Sequence, residues 1–297
     1  MNMRVTVASG KGGAGKTTIV ASLATVWDSP CVVTDADVEA PNLHLFLEPE
    51  IISKVPVNLE VPVLDEKRCS SCGKCSNFCK FKAIARLGKK VIIFPEMCHG
   101  CGGCFAVCPS EALIQGERLL GALETGYVLR RRHPFIMGRA RVGESMTPPQ
   151  LRALQKRLEI MACNGQDILT DAPPGVSCPA MTVVREADVI LLAAEPTPFG
   201  FYDFKLAHRA FLPLKKFMVV VVNRAGIPGN WQGDEELKQY CKRSGLPVLT
   251  ELPFDREAAE HYAKGLVLAS MSGIWRDRFE ALRDMLKGFW NKEHTYV

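Results

Sequence analysis

Short apolar, β-branched runs recur along the chain, each closed by a polar residue or a Pro/Gly turn. They are "VTVAS" near the start, "CVVTDAD" from Cys31, then "DILTDAPPG", "DVILLAAEP" and "FMVVVVNRAG". Runs of this kind predict strands buried on both faces. Helix-like segments separate them: "TTIVASLATVW", Pro149 to Met161 and Gly200 to Ala210. Buried strands alternating with helices predict an α/β fold, a mostly parallel sheet with helices on both faces. Near the C-terminus Trp275, Phe279, Leu282, Leu286 and Phe289 fall at helical spacing, which predicts a helix packed on that sheet rather than laid on a membrane.

Between residues 58 and 118 the alternation stops, and eight of the twelve cysteines lie there. Cys69, Cys72, Cys75 and Cys79 are echoed by Cys98, Cys101, Cys104 and Cys108, each 29 residues later. The block therefore reads as a duplicated small unit inserted into the first pattern. This predicts a discontinuous α/β domain, 1–57 and 119–297, around a domain at 58–118. Just after it, "ERLLGALETGYVLRRRHPFIMGRARVGE" predicts a hairpin with a basic tip at Arg130, Arg131 and Arg132. The tip reads as a solvated turn, or as a docking surface for an acidic partner.

Composition narrows the class. A 297-residue chain with 47% hydrophobic and 23% charged residues is ordinary for a globular protein. The net charge of +5, from 37 basic and 32 acidic residues, makes no case for nucleic acid. No apolar run is long enough to span a bilayer, so a membrane role is not expected. The chain enters its first strand without a leader pattern, so the expected location is cytoplasmic. In that compartment twelve cysteines argue for metal binding rather than disulfides.

Candidate chemistry begins with "GKGGAGKT", Gly10 to Thr17, set between a predicted strand and a predicted helix. It satisfies G-x-x-x-x-G-K-[ST], the phosphate-cradling P-loop. Backbone N–H groups along Gly10, Lys11, Gly12, Gly13, Ala14, Gly15, Lys16, Thr17 and Thr18 would face phosphate oxygens at a helix N-terminus. Lys16 would reach the β/γ-phosphates, and the Thr17 hydroxyl would ligate Mg²⁺.

With its extra lysine, Lys11, this motif resembles the deviant P-loop of the MinD/ParA/Mrp group of ATPases, to which the nitrogenase iron protein also belongs. "TDADVEAPNLHLFL" and "DILTDAPPG" resemble that group's two switch segments. The resemblance implies a dimer that sandwiches ATP, with Lys11 reaching the partner's nucleotide. It implies that Asp37 positions the attacking water, that Asp35 lies close to Mg²⁺ and that Asp171 holds a metal-bound water. It further implies that Asn223 reads the adenine and that a loop around Pro253 lines the base. Catalysis would then rest on Lys11, Lys16 and Asp37.

C-x₂-C-x₂-C-x₃-C, twice, resembles the bacterial-type ferredoxin arrangement for two [4Fe–4S] clusters. In that arrangement the fourth cysteine of each run serves the other cluster. The resemblance thus implies Cys69, Cys72, Cys75 and Cys108 for one cluster, and Cys98, Cys101, Cys104 and Cys79 for the other. Zinc is disfavoured, because isolated C-x₂-C pairs are absent. Cys79 is followed by Lys80 where the pattern has proline, and a cation there would raise the potential of the cluster Cys79 serves. His99 reads as a solvated loop residue. Of the remaining cysteines Cys31 reads as core. Cys178 reads as a buried structural thiol in preference to a dimer-bridging ligand, for which Cys163 is the nearby partner.

The expected function is an ATPase that couples nucleotide state to electron transfer. Its expected partners are a second copy or a related ATPase, and a redox or metal-cluster protein. The alternatives are a metal-cluster assembly or carrier ATPase, and a MinD-like spatial organiser that senses redox state.

Overall fold

The computed structural model describes residues 2–128, 133–162, 165–271 and 273–294, with side chains through residue 290. The strands are β1 (Arg4–Ala8), β2 (Cys31–Asp35), β3 (Pro49–Leu64), β4 (Ile84–Leu87), β5 (Lys90–Ile93), β6 (Leu113–Val128), β7 (His133–Ala140), β8 (Asp167–Asp171), β9 (Val189–Ala194), β10 (Phe217–Ala225) and β11 (Val248–Pro253). The helices are α1 (Lys16–Val26), α2 (His44–Leu47), α3 (Lys74–Phe78), α4 (Gly103–Ala106), α5 (Pro148–Met161), α6 (Cys178–Arg185), α7 (Pro198–Phe211), α8 (Trp231–Arg243), α9 (Arg256–Ala263) and α10 (Ile274–His294).

Nine strands form one sheet in the order β11-β10-β9-β1-β8-β2-β7-β6-β3. Neighbours from β11 to β7 are parallel. β6 pairs antiparallel with both β7 and β3. The apolar runs have the predicted cause. In β9, Ile190, Leu192 and Ala194 pack into a core with residues of α5, α6, α7 and α8. Val189, Leu191 and Ala193 face the opposite core, built with α1 and α10. Period-two alternation between two apolar faces leaves no polar position in the strand.

α10 buries Trp275, Phe279, Leu282 and Leu286 in the second of these cores, with Phe289 partly buried. Its apolar stripe is therefore occupied, and each large side chain contributes about 1.5–3 kcal/mol of burial. Among the described residues no helix is long and apolar enough to cross a membrane.

β3 and β6 are each 16 residues long, about 50 Å at the usual rise. Their pairing runs from Pro49↔Val128 to Leu64↔Leu113, with a bulge between Val57 and Asn58. β7 pairs with β6 only as far as Gly121↔Ala140. Past the bulge the two strands therefore continue without β7, as a two-stranded ribbon toward the cysteines. The expected hairpin is present as β6–β7, closing at Val128↔His133; Arg130, Arg131 and Arg132 lie outside the described residues.

The cysteine unit repeats in its backbone as well as in its sequence. Left-handed residues recur at an offset of 29: Ser71 and Gly100 (φ 55° and 65°), Gly73 and Gly102 (79° and 74°), and Lys82 and Glu111 (58° and 47°). Three of these six are not glycine, in a conformation that costs L-residues energy. Cys75 with Ile84 and Cys104 with Leu113 form one small core at the same offset.

Candidate functional site

The Gly-rich loop joins β1 to α1 beneath a cleft of about 290 Å³. Gly12, Gly13, Gly15, Lys16, Thr17 and Thr18 form its floor, Asp37 one side, and Asn223 and Pro253 the far end. Gly15 is required where it stands. Its φ is 97°, and a Cβ would come within 2.2 Å of the Asn223 amide nitrogen. That amide donates to the Ala14 carbonyl at 3.0 Å, so the strand-end asparagine and the loop brace each other. Gly10 sits beside the Asp203 carbonyl, outside the cleft wall.

Lys16 is 7% exposed, and its ammonium donates to the Ser9 hydroxyl at 3.2 Å. Burial lowers its pKa, and Asp171, Asp37 and Asp35 oppose that fall. The Thr17 hydroxyl lies 2.5 Å from an Asp171 carboxylate oxygen and 2.9 Å from the Asn42 side-chain oxygen. Asp171 is buried, and burial pushes its carboxyl up to about 6. Asp35 is also raised, by burial first and by Asp171 second, although it accepts hydrogen bonds from the backbone of Asp37, Asn42 and Leu43. Burial raises Asp37 too.

Three carboxylates thus act electrostatically on one buried ammonium. Asp171 Oδ1 is buried without a hydrogen-bond partner. An uncompensated negative site with an orphaned carboxylate oxygen beside a threonine hydroxyl is the chemistry of a hard divalent cation, which fits Mg²⁺.

Lys11 does not line the cleft. Its ammonium pairs with Glu195 of the same chain at 2.8 Å, and Glu195 also pairs with Arg224 at 3.2 Å. The sequence reading passed over Glu195, which ends an apolar strand, and Asn42, which lies within the quoted switch-like segment. It also missed the apolar end of the cleft, where Tyr262 and Trp275 stand. The Trp275 indole donates to Asp255 at 3.2 Å, and Asp255 caps α9 by accepting from the Glu257 backbone.

The eight clustered cysteines sort into two cavities. Cys69, Cys72, Cys75 and Cys108 line one. Cys79, Cys98, Cys101 and Cys104 line the other. Each set joins three cysteines of one run to the last of the other. Burial pushes the Cys104 thiol up to about 11 and raises Cys75. At Cys108 burial is outweighed by hydrogen bonds from Ala112, Ser110 and Leu113, and the thiol is lowered. A backbone hydrogen bond from Lys74 lowers Cys72. The Gly100 amide donates to Cys98 sulfur at 3.4 Å, and the Ala112 amide to Cys108 sulfur at 3.3 Å. Among the described residues no three His, Cys, Asp or Glu side chains converge as ligands of a single metal ion would. Thiols on separate walls of a cavity, with amides aimed at the sulfurs, fit a four-iron cube, whose ligands sit at separate corners.

His99 is an exposed loop residue, as expected, and its ring stacks on Phe81 with centroids 3.8 Å apart. Cys178 differs from its expectation. It begins α6 and is exposed, because the turn after Gly175 carries it out of the core. Cys31 and Cys241 are core residues; Cys163 lies outside the described residues.

A short path joins the two sites. Val38, beside Asp37, accepts from the Ala140 backbone at 2.8 Å. The next residue, Arg141, meets Glu96 at 2.7 Å, two residues before Cys98. Buried Arg118 fixes the same turn by donating to the Pro95 carbonyl at 2.8 Å, and it faces Glu144 at 3.4 Å.

Residues 5–268 match the CobQ/CobB/MinD/ParA nucleotide binding domain. An uncharacterized protein of Methanocaldococcus jannaschii is 28% identical over 289 residues, 97% of each chain. Ferredoxin-1 of Chlorobaculum tepidum is 34% identical over 56 residues, 17% of this chain and 90% of the ferredoxin. Among solved structures, the septum site-determining protein MinD complexed with Mg-ADP from Pyrococcus horikoshii superposes with a TM-score of 0.56 at 15% identity, over 97% of each chain.

Proposed function

This chain belongs to the CobQ/CobB/MinD/ParA nucleotide-binding family, and from that premise we propose an ATPase whose nucleotide cycle controls electron transfer through two [4Fe–4S] clusters. Residues 58–118 would be the unit that carries the clusters. The observation that carries the reading is the sorting of eight cysteines into two cavities, three from one run and one from the other. Each cluster would supply a store for one electron at a time. The chain's own residues do the rest.

Backbone amides and Lys16 would hold the phosphates, and Thr17 and Asp171 would hold Mg²⁺. Asp37 orients the attacking water. Lys11 must leave Glu195 to meet the γ-phosphoryl charge of a nucleotide bound by a second copy. When Asp37 and Val38 rearrange around nucleotide, the Val38–Ala140 and Arg141–Glu96 contacts pass the change to the loop of Cys98. This makes the cluster held by Cys98, Cys101, Cys104 and Cys79 the one that senses nucleotide.

The test is iron analysis and EPR of protein prepared without oxygen, with and without MgATP. The expected result is about eight irons per chain and a nucleotide-dependent shift in one of two cluster signals. Full iron content with no shift would reduce the clusters to a passive store.

The exposed thiol of Cys178 favours one rival, a cluster carrier. Under that reading iron passes to an apo-acceptor on ATP addition, and Cys178→Ser abolishes the transfer.

A further inference from the structure

The cysteine unit is basic, and the charge is not spread evenly. From Asp65 to Ala112 it carries Lys67, Arg68, Lys74, Lys80, Lys82, Arg86, Lys89 and Lys90 against Asp65, Glu66, Glu96 and Glu111. All eight basic residues are exposed. Among the described residues only Arg68 has a carboxylate partner, Asp65 at 3.3 Å.

Part of this charge is gathered at one end. Ser71 donates to the Lys89 carbonyl at 2.5 Å, which ties the tip of the β4–β5 hairpin to the loop of Cys72. The Arg86 side chain lies against Gly73, where a Cβ would come within 3.0 Å of its Cδ. Lys74 follows directly in sequence. Exposed Cys72 thus lies in a loop that carries Lys74 and meets Arg86 and the Lys89 backbone, and among the described residues no carboxylate pairs with any of these three cations. The other cavity also has exposed cations beside it, Lys80 and Lys82 on either side of Phe81, but its surround differs in being aromatic and acidic as well. Phe78, Phe81 and His99 cover it, and nearby Arg118 and Arg141 are balanced by Glu96 and Glu144.

We propose that the basic rim formed by Lys74, Arg86 and Lys89 around Cys72 is the docking surface for an acidic one-electron carrier protein. This rests on the cluster reading above. The reduced carrier gives up one electron, and the cluster held by Cys69, Cys72, Cys75 and Cys108 takes it up; no proton or bond need change. Unpaired surface cations steer an acidic partner and raise its encounter rate, and salt screens the effect. The polarity of the unit follows. Electrons enter at the Cys72 end, remote from Glu96, and reach the nucleotide-sensing cluster second.

The test uses the holo-protein, with reduced flavodoxin as the acidic probe and a basic c-type cytochrome as the oppositely charged control. Lys74→Glu/Arg86→Glu/Lys89→Glu is compared with the parent by stopped-flow at low and high salt. At low salt the flavodoxin rate should fall at least about tenfold in the variant and its salt dependence should reverse, while exchange with the cytochrome becomes faster. The Gln version of the triple variant should fall between. Iron content equal to the parent shows that the variant folds and keeps its clusters. A flavodoxin rate unchanged in the iron-replete variant overturns the docking surface alone. A parent chain that binds no iron overturns the cluster reading, and the proposal with it.

Discussion

Arg141 and Glu96 meet at 2.7 Å, and with that contact the segment just after β7 holds the turn that leads into Cys98. Both side chains are substantially exposed, at 40% and 65%, so the pair contributes little to stability, about 0–1 kcal/mol. Its value lies in position: Arg141 follows the Val38–Ala140 hydrogen bond and Glu96 stands two residues before Cys98, a proposed cluster ligand. Arg141→Ala should therefore leave ATP turnover within about twofold of the parent and change stability by less than about 1 kcal/mol. It should abolish the nucleotide-induced change in the cluster signal. A full EPR response to MgATP in this variant would show that coupling runs elsewhere.

Lys11 is held in cis by Glu195 in the single chain. If it acts on a partner's nucleotide, Lys11→Ala binds MgATP with nearly parental affinity but hydrolyses it at least about a hundredfold more slowly. Nucleotide titration and phosphate release measure the two separately. Near-parental turnover would sink the role assigned to Lys11.

The crossed ligand sets proposed above make a prediction about pairs of substitutions. Cys108→Ala should lower iron from about eight to about four per chain. Adding Cys72→Ala should cost nothing more, because both serve one cluster. Adding Cys101→Ala should remove the rest. If each run served its own cluster, the two double variants would exchange outcomes.

The Asp171 carboxyl is pushed up to about 6 by burial, so the folded chain holds this proton more tightly than the unfolded chain. Sign and window follow from linkage. The contribution favours folding in full below the ordinary carboxylate range near pH 4 and is lost as pH rises through about 6. Without Mg²⁺, Asp171→Asn should stabilise the chain by about 1–3 kcal/mol at pH 7.5, and the advantage should shrink toward pH 5. Thermal unfolding at the two pH values reads the difference. The same variant should lose Mg²⁺-dependent hydrolysis. An equal effect of the substitution at both pH values would mean that Asp171 is ionised alike in both states.

Much of the fold was legible because its signals are local. Apolar runs buried on both faces carry no polar position, so β9 and β10 declare themselves as interior parallel strands. A Gly-rich loop between a strand and a helix fixes the phosphate cradle, since backbone amides need no distant partner to face a ligand. The 29-residue offset announced a duplication that returns in the paired left-handed residues Ser71 and Gly100. The stripe from Trp275 to Leu286 likewise predicted its own burial, because helical spacing alone decides which residues share a face.

Tertiary structure decided whatever depends on residues far apart in the chain. Glu195 lies 184 positions from Lys11, and nothing in either segment marks the other. Asn223 could brace Ala14 only once β10 had been laid two strands from β1. Cys178 looked like a core thiol in sequence and is exposed, because the turn after Gly175 sets the direction of α6. The Arg141–Glu96 contact exists because β3 and β6 continue past their bulge as a ribbon, a matter of register and twist that short-range pattern does not encode. Sequence determined which chemical groups the protein has and how each is locally presented. The packing of the sheet determined which of those groups can act on one another, because coupling needs contact and contact between remote residues is made only by the fold.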